Sequence, residues 1–131
     1  MRSLLFALLF LPAVGEAQQW TPIGKTSRDS SALFVRQSSV KRGGDTVTAL
    51  ILTRLASPTY DPARKDTIRA MTILATFNCK LDKVAVKETI YYGNFDRNRI
   101  ITRSKPKTPG YGAVFGAAFP IVAKYLCSSG T

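Results

Sequence analysis

The two side chains with the most reactive chemistry in this sequence are Cys79 and Cys127. A pair of cysteines can form a disulfide, bind a metal ion or supply a catalytic thiol. Two thiols without histidine make a poor zinc site, and a nucleophilic cysteine normally needs a neighbouring base, usually histidine. The chain contains no histidine. The composition therefore favours a structural disulfide, which would close a loop of about 50 residues and contribute about 4 kcal/mol in the chain-entropy model.

The other side chains form no recognisable catalytic pattern. The sequence has no histidine for a triad, no phosphate-binding glycine motif and no GxSxG motif. Asp61 and Asp66 fall in a segment expected to be an exposed loop, and two carboxylates in a loop do not define an acid–base pair. We therefore expect a protein that is not an enzyme and has no cofactor and no resident metal.

The charge distribution indicates a different chemistry, the binding of anions. The formal net charge is +11, and no acidic residue follows Asp96. If residues 97–107 are extended, the odd-numbered side chains project to one side at intervals of about 6.6 Å. Lys124 is a further cation near the C-terminus. The candidate binding residues are Arg97, Arg99, Arg103, Lys105 and Lys107.

Two interpretations of this basic segment remain open. A row of cations suits a polyanion such as a sulfated glycan or the phosphates of lipopolysaccharide. Alternatively, basic side chains on an edge strand discourage pairing with the edges of other sheets.

The first 17 residues have the layout of a secretory signal peptide. Arg2 precedes an apolar run from Leu4 to Leu11, and residues 15–17 are suited to cleavage. A transmembrane helix would need about 20 apolar residues, and this run ends at Pro12. We expect residues 1–17 to be removed and residues 18–131 to form one soluble domain, exported to the periplasm or the cell surface.

The mature chain shows the pattern of an antiparallel β-sheet. The clearest strand alternates Met71, Ile73, Ala75 and Phe77 with smaller or polar side chains. Gly43-Gly44 can adopt the positive φ of a tight hairpin, and residues 56–66 are expected to form an exposed loop. The predicted strands are 19–27, 31–40, 46–55, 67–79, 84–92 and 99–104.

Two details of these strands can be tested against a structure. Cys79 continues the alternating series of Phe77 and is expected to point into the core. The strand 84–92 is expected to place Val84, Val86, Ile90 and Tyr92 on one face. Glu88 interrupts that face, and a salt bridge to a basic side chain is the simplest role for it.

Towards the C-terminus the periodicity changes to that of a helix. Val114, Ala118, Ile121, Val122 and Tyr125 recur at spacings of three or four. Pro120 fits the first turn of a short helix that ends near Cys127. A Cys79–Cys127 bond would hold this helix across one face of the sheet, so the predicted fold class is α+β.

Several of these segments occur together in a known family. They are "WTPIG" (20–24), "LFVRQSSVKRGGDTVTALILT" (33–53), "ATFNC" (75–79) and the late cysteine Cys127. With these features the chain resembles the surface-adhesin protein E-like family of small exported bacterial proteins. The resemblance implies a sheet of about six strands with a C-terminal helix tethered by the disulfide. It also implies a binding role at the bacterial surface or in the periplasm, and the best-known member of the family adheres to host extracellular-matrix and plasma proteins.

The chain departs from the family pattern at two places. Arg36 stands before "QSSV", where such sequences usually have aspartate, and the C-terminal segment is richer in glycine and alanine. No motif here matches the family's ligand-binding residues, so none of them is transferred to this chain.

Two functions are consistent with these features. The first is an adhesin-like binding module that contacts a host-matrix protein, a sulfated glycan or lipopolysaccharide through a basic face. The alternative is a periplasmic structural or assembly factor that associates with anionic lipid or cell-wall components. Nucleic acid is not an expected partner in vivo, and an exposed edge strand would allow a homodimer.

Overall fold

A computed structural model of the protein describes residues 19–128. The predicted signal peptide and residues 129–131 lie outside the described residues. Strands make up most of the described chain, and a single α-helix follows them. The elements are β1 (Trp20–Lys25), β2 (Ala32–Arg36), β3 (Lys41–Gly43), β4 (Thr46–Asp61), β5 (Asp66–Asn78), β6 (Lys83–Tyr92), β7 (Ile100–Ser104), β8 (Gly112–Ala113) and α1 (Phe119–Ser128).

The strands form one antiparallel sheet in the order β1-β2-β4-β5-β6-β7. The short strands β3 and β8 pair with β4 and β6 respectively. β4 is central, as its two apolar faces predicted, and the two-residue turn between β3 and β4 has Gly44 at φ +61°. The predicted α+β architecture, a sheet of about six strands with one C-terminal helix, is confirmed.

The predicted loop over residues 56–66 is mostly strand, which corrects the sequence-based expectation. β4 continues to Asp61, and pairing with β5 resumes at Thr59 opposite Ile68 after an irregularity that begins at Arg54. Pro58 lies in this irregularity, as expected for a residue without an N–H for the ladder. The result is a two-stranded extension of the sheet with an exposed turn at residues 62–65.

The second predicted strand is also shorter than expected. β2 ends at Arg36, and Gln37–Ser39 form a 3-10 turn before β3. The Ser39 hydroxyl donates to the Arg36 carbonyl (2.6 Å) and accepts from the Leu50 N–H (2.8 Å). One polar side chain therefore satisfies backbone groups that a continuous strand would have paired.

α1 packs on one face of the sheet, called here the helix face. Val122 and Leu126 are fully buried among the core side chains of β2, β4 and β5. Phe77 and Phe119 meet edge to face with ring centroids 6.0 Å apart. Pro120 lies in the first turn, as predicted, whereas Val114 and Ala118 precede the helix. The fully buried core of this face comprises Leu33, Val35, Val47, Ala49, Ile51, Ala75, Phe77, Val122 and Leu126.

The opposite face of the sheet has a smaller core. Leu52, Ala70 and Tyr92 are buried there, with Trp20, Phe34 and Ile90 packed against them.

A bulge in β6 divides its apolar residues between the two faces. Glu88 lies opposite Leu74, but Val86 lies opposite Ala75, so Lys87 is the extra residue. Val84 belongs to the core of the helix face, whereas Ile90 and Tyr92 belong to the opposite core. The prediction that all four apolar residues share one face was wrong, because one inserted residue reverses the alternation.

The predicted disulfide joins Cys79 to Cys127, with Cα atoms 5.5 Å apart. β5 ends at Asn78, so the alternation of the strand does not reach Cys79 and this residue is exposed rather than directed into the core. The Cys79 N–H donates to the Asp45 carbonyl (2.8 Å), which links the turn after β5 to the β3–β4 hairpin. The disulfide therefore anchors the end of α1 to the ends of the central strands.

Replacing both cysteines by serine should lower the free energy of unfolding by about 4 kcal/mol, because the bond closes a loop between residues 48 positions apart. Urea unfolding of the oxidised protein, the reduced wild type and the Cys79→Ser/Cys127→Ser variant measures the effect. The reduced wild type serves as the control and should match the double variant. Equal stability of the oxidised and reduced proteins would contradict a stabilising role of the disulfide.

Candidate binding surface

Of the predicted binding residues, Arg103 lies in β7, Arg99, Lys105 and Lys107 flank this strand in the chain, and Arg97 lies against Trp20 of β1. β7 pairs with β6 and occupies the last position in the strand order, so within residues 19–128 its outer edge has no strand neighbour. We call the five predicted cations together the β7 rim, although Arg97 is the member most distant from β7: Arg97, Arg99, Arg103, Lys105 and Lys107.

These cations do not form the single evenly spaced row that a continuous extended segment would have. β7 covers only residues 100–104, and its register with β6 shifts between Tyr91 and Tyr92. Arg97 has a left-handed backbone conformation, with φ +62°. The alternation therefore breaks inside the strand, and four of the five cations, Arg97, Arg99, Lys105 and Lys107, lie outside it.

Arg99 is held in place by contacts within the molecule. Its guanidinium forms an ion pair with Asp66 and donates to the Gly93 carbonyl (3.0 Å), while the Gly93 N–H donates to the Arg99 carbonyl (2.9 Å). A Cβ atom at Gly93 would collide with this guanidinium. The hydrogen bond from Arg99, followed by one from the Thr67 N–H, holds the pKa of Asp66 below its usual range. Arg99 thus connects β7 to the start of β5.

Arg103 lies opposite Ile90 and pairs with Glu88 on β6, with Nη1 3.4 Å from Oε2. The salt bridge expected for Glu88 is therefore present. Because the guanidinium is about half exposed, this pair stabilises the fold by less than about 1 kcal/mol. A strongly anionic partner could compete for Arg103.

Arg97 faces the aromatic core of the opposite face. Its guanidinium lies 5.3 Å from the centroid of the Trp20 ring, and its Nη1 donates to the Phe95 carbonyl (3.0 Å). Arg36 lies 6.0 Å from the same Trp20 ring, and Arg54 lies 4.8 Å from the Phe95 ring. Each such contact is worth about 0.5–1 kcal/mol at an exposed site. Arg36, the departure from the family pattern, has a structural role here.

Lys105 and Lys107 are the two lysines of the β7 rim. Both are exposed, and neither forms an ion pair with any residue in the described range. Four carboxylates lie near the five cations of the rim in the fold or in the sequence. Asp66 and Glu88 pair with rim arginines, Asp61 lines a cavity with Arg103 but pairs with Arg64, and Asp96 precedes Arg97 in the chain. The rim therefore retains a positive excess that lies mainly on the two lysines.

Sequence reasoning missed a second feature, an apolar groove on the helix face. The groove has a volume of about 750 Å³ and lies between the sheet and the segment 105–118. Its walls include Leu55, Met71 and Ile73 from the sheet and Phe115 from the segment. A sequence signal existed, because the apolar series on β5 extends further than one short helix can cover.

Residues 19–128 contain no cluster of three or more His, Cys, Asp or Glu side chains placed to hold a metal ion. Over the same range, no helix combines the length and apolar character needed to span a bilayer.

The fold and surface define a class: a small α+β domain of one antiparallel sheet with a disulfide-tethered C-terminal helix. The sequence model for surface-adhesin protein E matches residues 20–128, and the chain belongs to this family. It is a family of surface adhesins rather than of enzymes, and membership indicates an adhesin-like protein that is exported or located at the cell surface.

Solved structures of protein E from Haemophilus influenzae have the same fold. One structure is 14% identical, with a TM-score of 0.57 and 92% of each chain covered. A second crystal form is 15% identical with a TM-score of 0.59, covering 94% of this chain and 98% of that one. Protein E from a non-typeable strain is 14% identical with a TM-score of 0.56, and the match covers 92% of this chain and 83% of that one. A search of curated proteins found no significant match.

Replacing Asp66 by asparagine should destabilise the protein at neutral pH but not in acid. Because the pKa of Asp66 is lowered by folding, its stabilising effect is present above its ordinary value of 3.8 and disappears as the pH falls through the lower folded value. Urea midpoints of the wild type and Asp66→Asn, measured from neutral pH to well below 3.8, should therefore converge in acid. Arg99→Gln should lose the same pH-dependent part of the stability and, in addition, a pH-independent part, because the Arg99 guanidinium also donates to the Gly93 carbonyl. A difference that stays constant with pH would exclude this ion pair as the cause.

Proposed function

We propose that the protein is an exported, non-catalytic binding module that contacts an anionic macromolecule through the β7 rim. The observation that carries this proposal is a surplus of cations at an open sheet edge, with Lys105 and Lys107 exposed and without an ion-pair partner in the described chain. A sulfated glycan or a sulfated or acidic host-matrix protein has the complementary charge.

The rim is suited to many weak contacts rather than one deep site. Arg99 is oriented by Asp66 and Gly93, so it can present its remaining guanidinium surface without a large loss of side-chain freedom. Arg103 exchanges a weak ion pair for a contact with the partner. The lysines add mobile charges at the end of β7, which favour rapid association at low ionic strength.

Association with anionic lipid is the second candidate function. The exposed aromatics Tyr111 and Phe115 follow the two rim lysines in the chain, and Phe115 is 73% exposed. Aromatic and basic side chains together favour a lipid–water interface. An envelope structural or assembly factor would use this surface on a membrane rather than on a soluble partner.

The triple change Arg103→Glu/Lys105→Glu/Lys107→Glu should weaken binding to immobilised heparin about tenfold or more and reduce its salt dependence. Salt elution and binding isotherms provide the measurement. The matched control Lys25→Glu/Lys41→Glu/Lys80→Glu makes the same change in net charge at positions outside the rim. If both variants elute equally early, heparin binding depends on the total charge of the protein and not on the β7 rim. Elution of the wild type below physiological salt would exclude a dedicated polyanion site.

Export is proposed to remove residues 1–17, so that the mature protein begins at Gln18. Intact mass of the protein recovered from the periplasmic or extracellular fraction should correspond to residues 18–131. Leu8→Arg should retain the precursor inside the cell, because it interrupts the apolar run, while Leu8→Ile should be exported normally. A cytosolic product that retains Met1 would contradict the proposal.

A further inference from the structure

The groove on the helix face has about twice the volume of the cavity beside Trp20 and Phe95 on the opposite face. Its floor is the part of β4, β5 and β6 that α1 does not cover, and its other wall is the segment 105–118. Ser27 donates its N–H to the Ala117 carbonyl (3.3 Å), which ties this segment to the β1–β2 turn. The volume of about 750 Å³ lies in the range typical of small-molecule sites, about 300–1,000 Å³.

The groove exposes apolar side chains to water. Leu55, Met71, Ile73 and Val86 line it and are only half-buried, and Phe115 on the opposite wall is largely exposed. Such a concave apolar surface is costly to leave hydrated, and it marks a binding site more often than a chance feature. An apolar ligand would remove this surface from water.

The charges at the two ends of the groove differ. Pro106 lines one end, and the unpaired Lys105 and Lys107 flank it in the chain. At the other end, the charge of Arg28 is balanced by Asp29, whose carboxylate accepts hydrogen bonds from the hydroxyls of Thr26 (2.6 Å) and Ser31 (2.9 Å). The end near β7 is therefore the positive end.

We propose that this groove binds a monomeric anionic amphiphile of the long-chain fatty-acid class. The hydrocarbon chain lies along Met71, Ile73 and Val86, and the carboxylate lies at the end marked by Pro106, beside Lys105 and Lys107. A hydrocarbon chain fits this lining better than a peptide does, since a peptide would bring backbone N–H and C=O groups that an apolar wall leaves unpaired.

The position of the ligand's hydrocarbon chain in the groove can be tested separately from that of its carboxylate. The probe is a dansyl-labelled fatty acid below its critical micelle concentration, displaced by unlabelled palmitate, with the full mature protein. Met71→Glu should weaken binding about tenfold or more, because it places a charge where the hydrocarbon lies, whereas Met71→Leu should bind like the wild type. Wild-type affinity of Met71→Glu would overturn the proposal.

The position of the head group has its own matched control. Lys105→Glu/Lys107→Glu should weaken fatty-acid binding about tenfold, while Lys25→Glu/Lys41→Glu should leave it unchanged. A long-chain alcohol should bind more weakly than the acid to the wild type and equally to both double variants. Equal loss in the two double variants would overturn the assigned orientation.

Vesicles of phosphatidylglycerol distinguish a membrane from a free amphiphile. Binding to vesicles without any binding of the monomeric acid would overturn the groove proposal in favour of surface adsorption. The inference does not depend on the rim function, because Met71→Glu should retain wild-type binding to heparin. Circular dichroism and the absence of free thiols verify that each variant is folded.

Discussion

The attachment of α1 to the sheet is the constraint on which the remaining structure depends. A helix of ten residues is marginal by itself, and α1 has neither an acidic residue in its first turn nor a basic residue in its last to offset the helix dipole. Its stability therefore comes from burial of Val122 and Leu126 and from the Cys79–Cys127 bond. The Arg42 guanidinium, which donates to the Leu126 carbonyl (2.8 Å), adds a polar contact at the same end.

The geometry of both proposed binding surfaces depends on this attachment of α1. The segment 105–118 runs from the end of β7 to the start of α1, so its two ends are held by the sheet and by the tethered helix. β8, within this segment, pairs with the first residues of β6. The segment supplies one wall of the apolar groove and carries two lysines of the β7 rim. Loss of the attachment of α1 would free this wall of the groove and, with it, Lys105 and Lys107.

The scarcity of carboxylates explains how the surface charge is organised. Asp29 accepts hydrogen bonds in the β1–β2 turn, Asp66 orients Arg99, and Glu88 pairs with Arg103. Each of these acidic side chains supports the fold. Since the carboxylates engage turn hydroxyls and nearby arginines, the lysines are left to project into solvent, where they give the surface its net positive potential.

The sequence by itself determined the α+β class, the central position of β4, the short final helix and the disulfide. These features follow from local periodicity, from the position of Pro120 and from the absence of histidine, none of which needs a tertiary contact. The salt bridge of Glu88 was also predictable, because a carboxylate on an apolar face needs a cation. For the candidate site, the sequence identified the cations of the rim but not their arrangement.

Only the tertiary structure decided which side chains face each other. Bulges at the β5–β6 and β6–β7 pairings reverse the alternation, so Val84 and Ile90 lie on opposite faces and the rim cations do not form one row. A bulge depends on how two strands pair, and no pattern within one strand records it. The groove likewise exists because a ten-residue helix leaves part of a broader sheet uncovered, which is a property of the packed elements and not of either sequence segment alone.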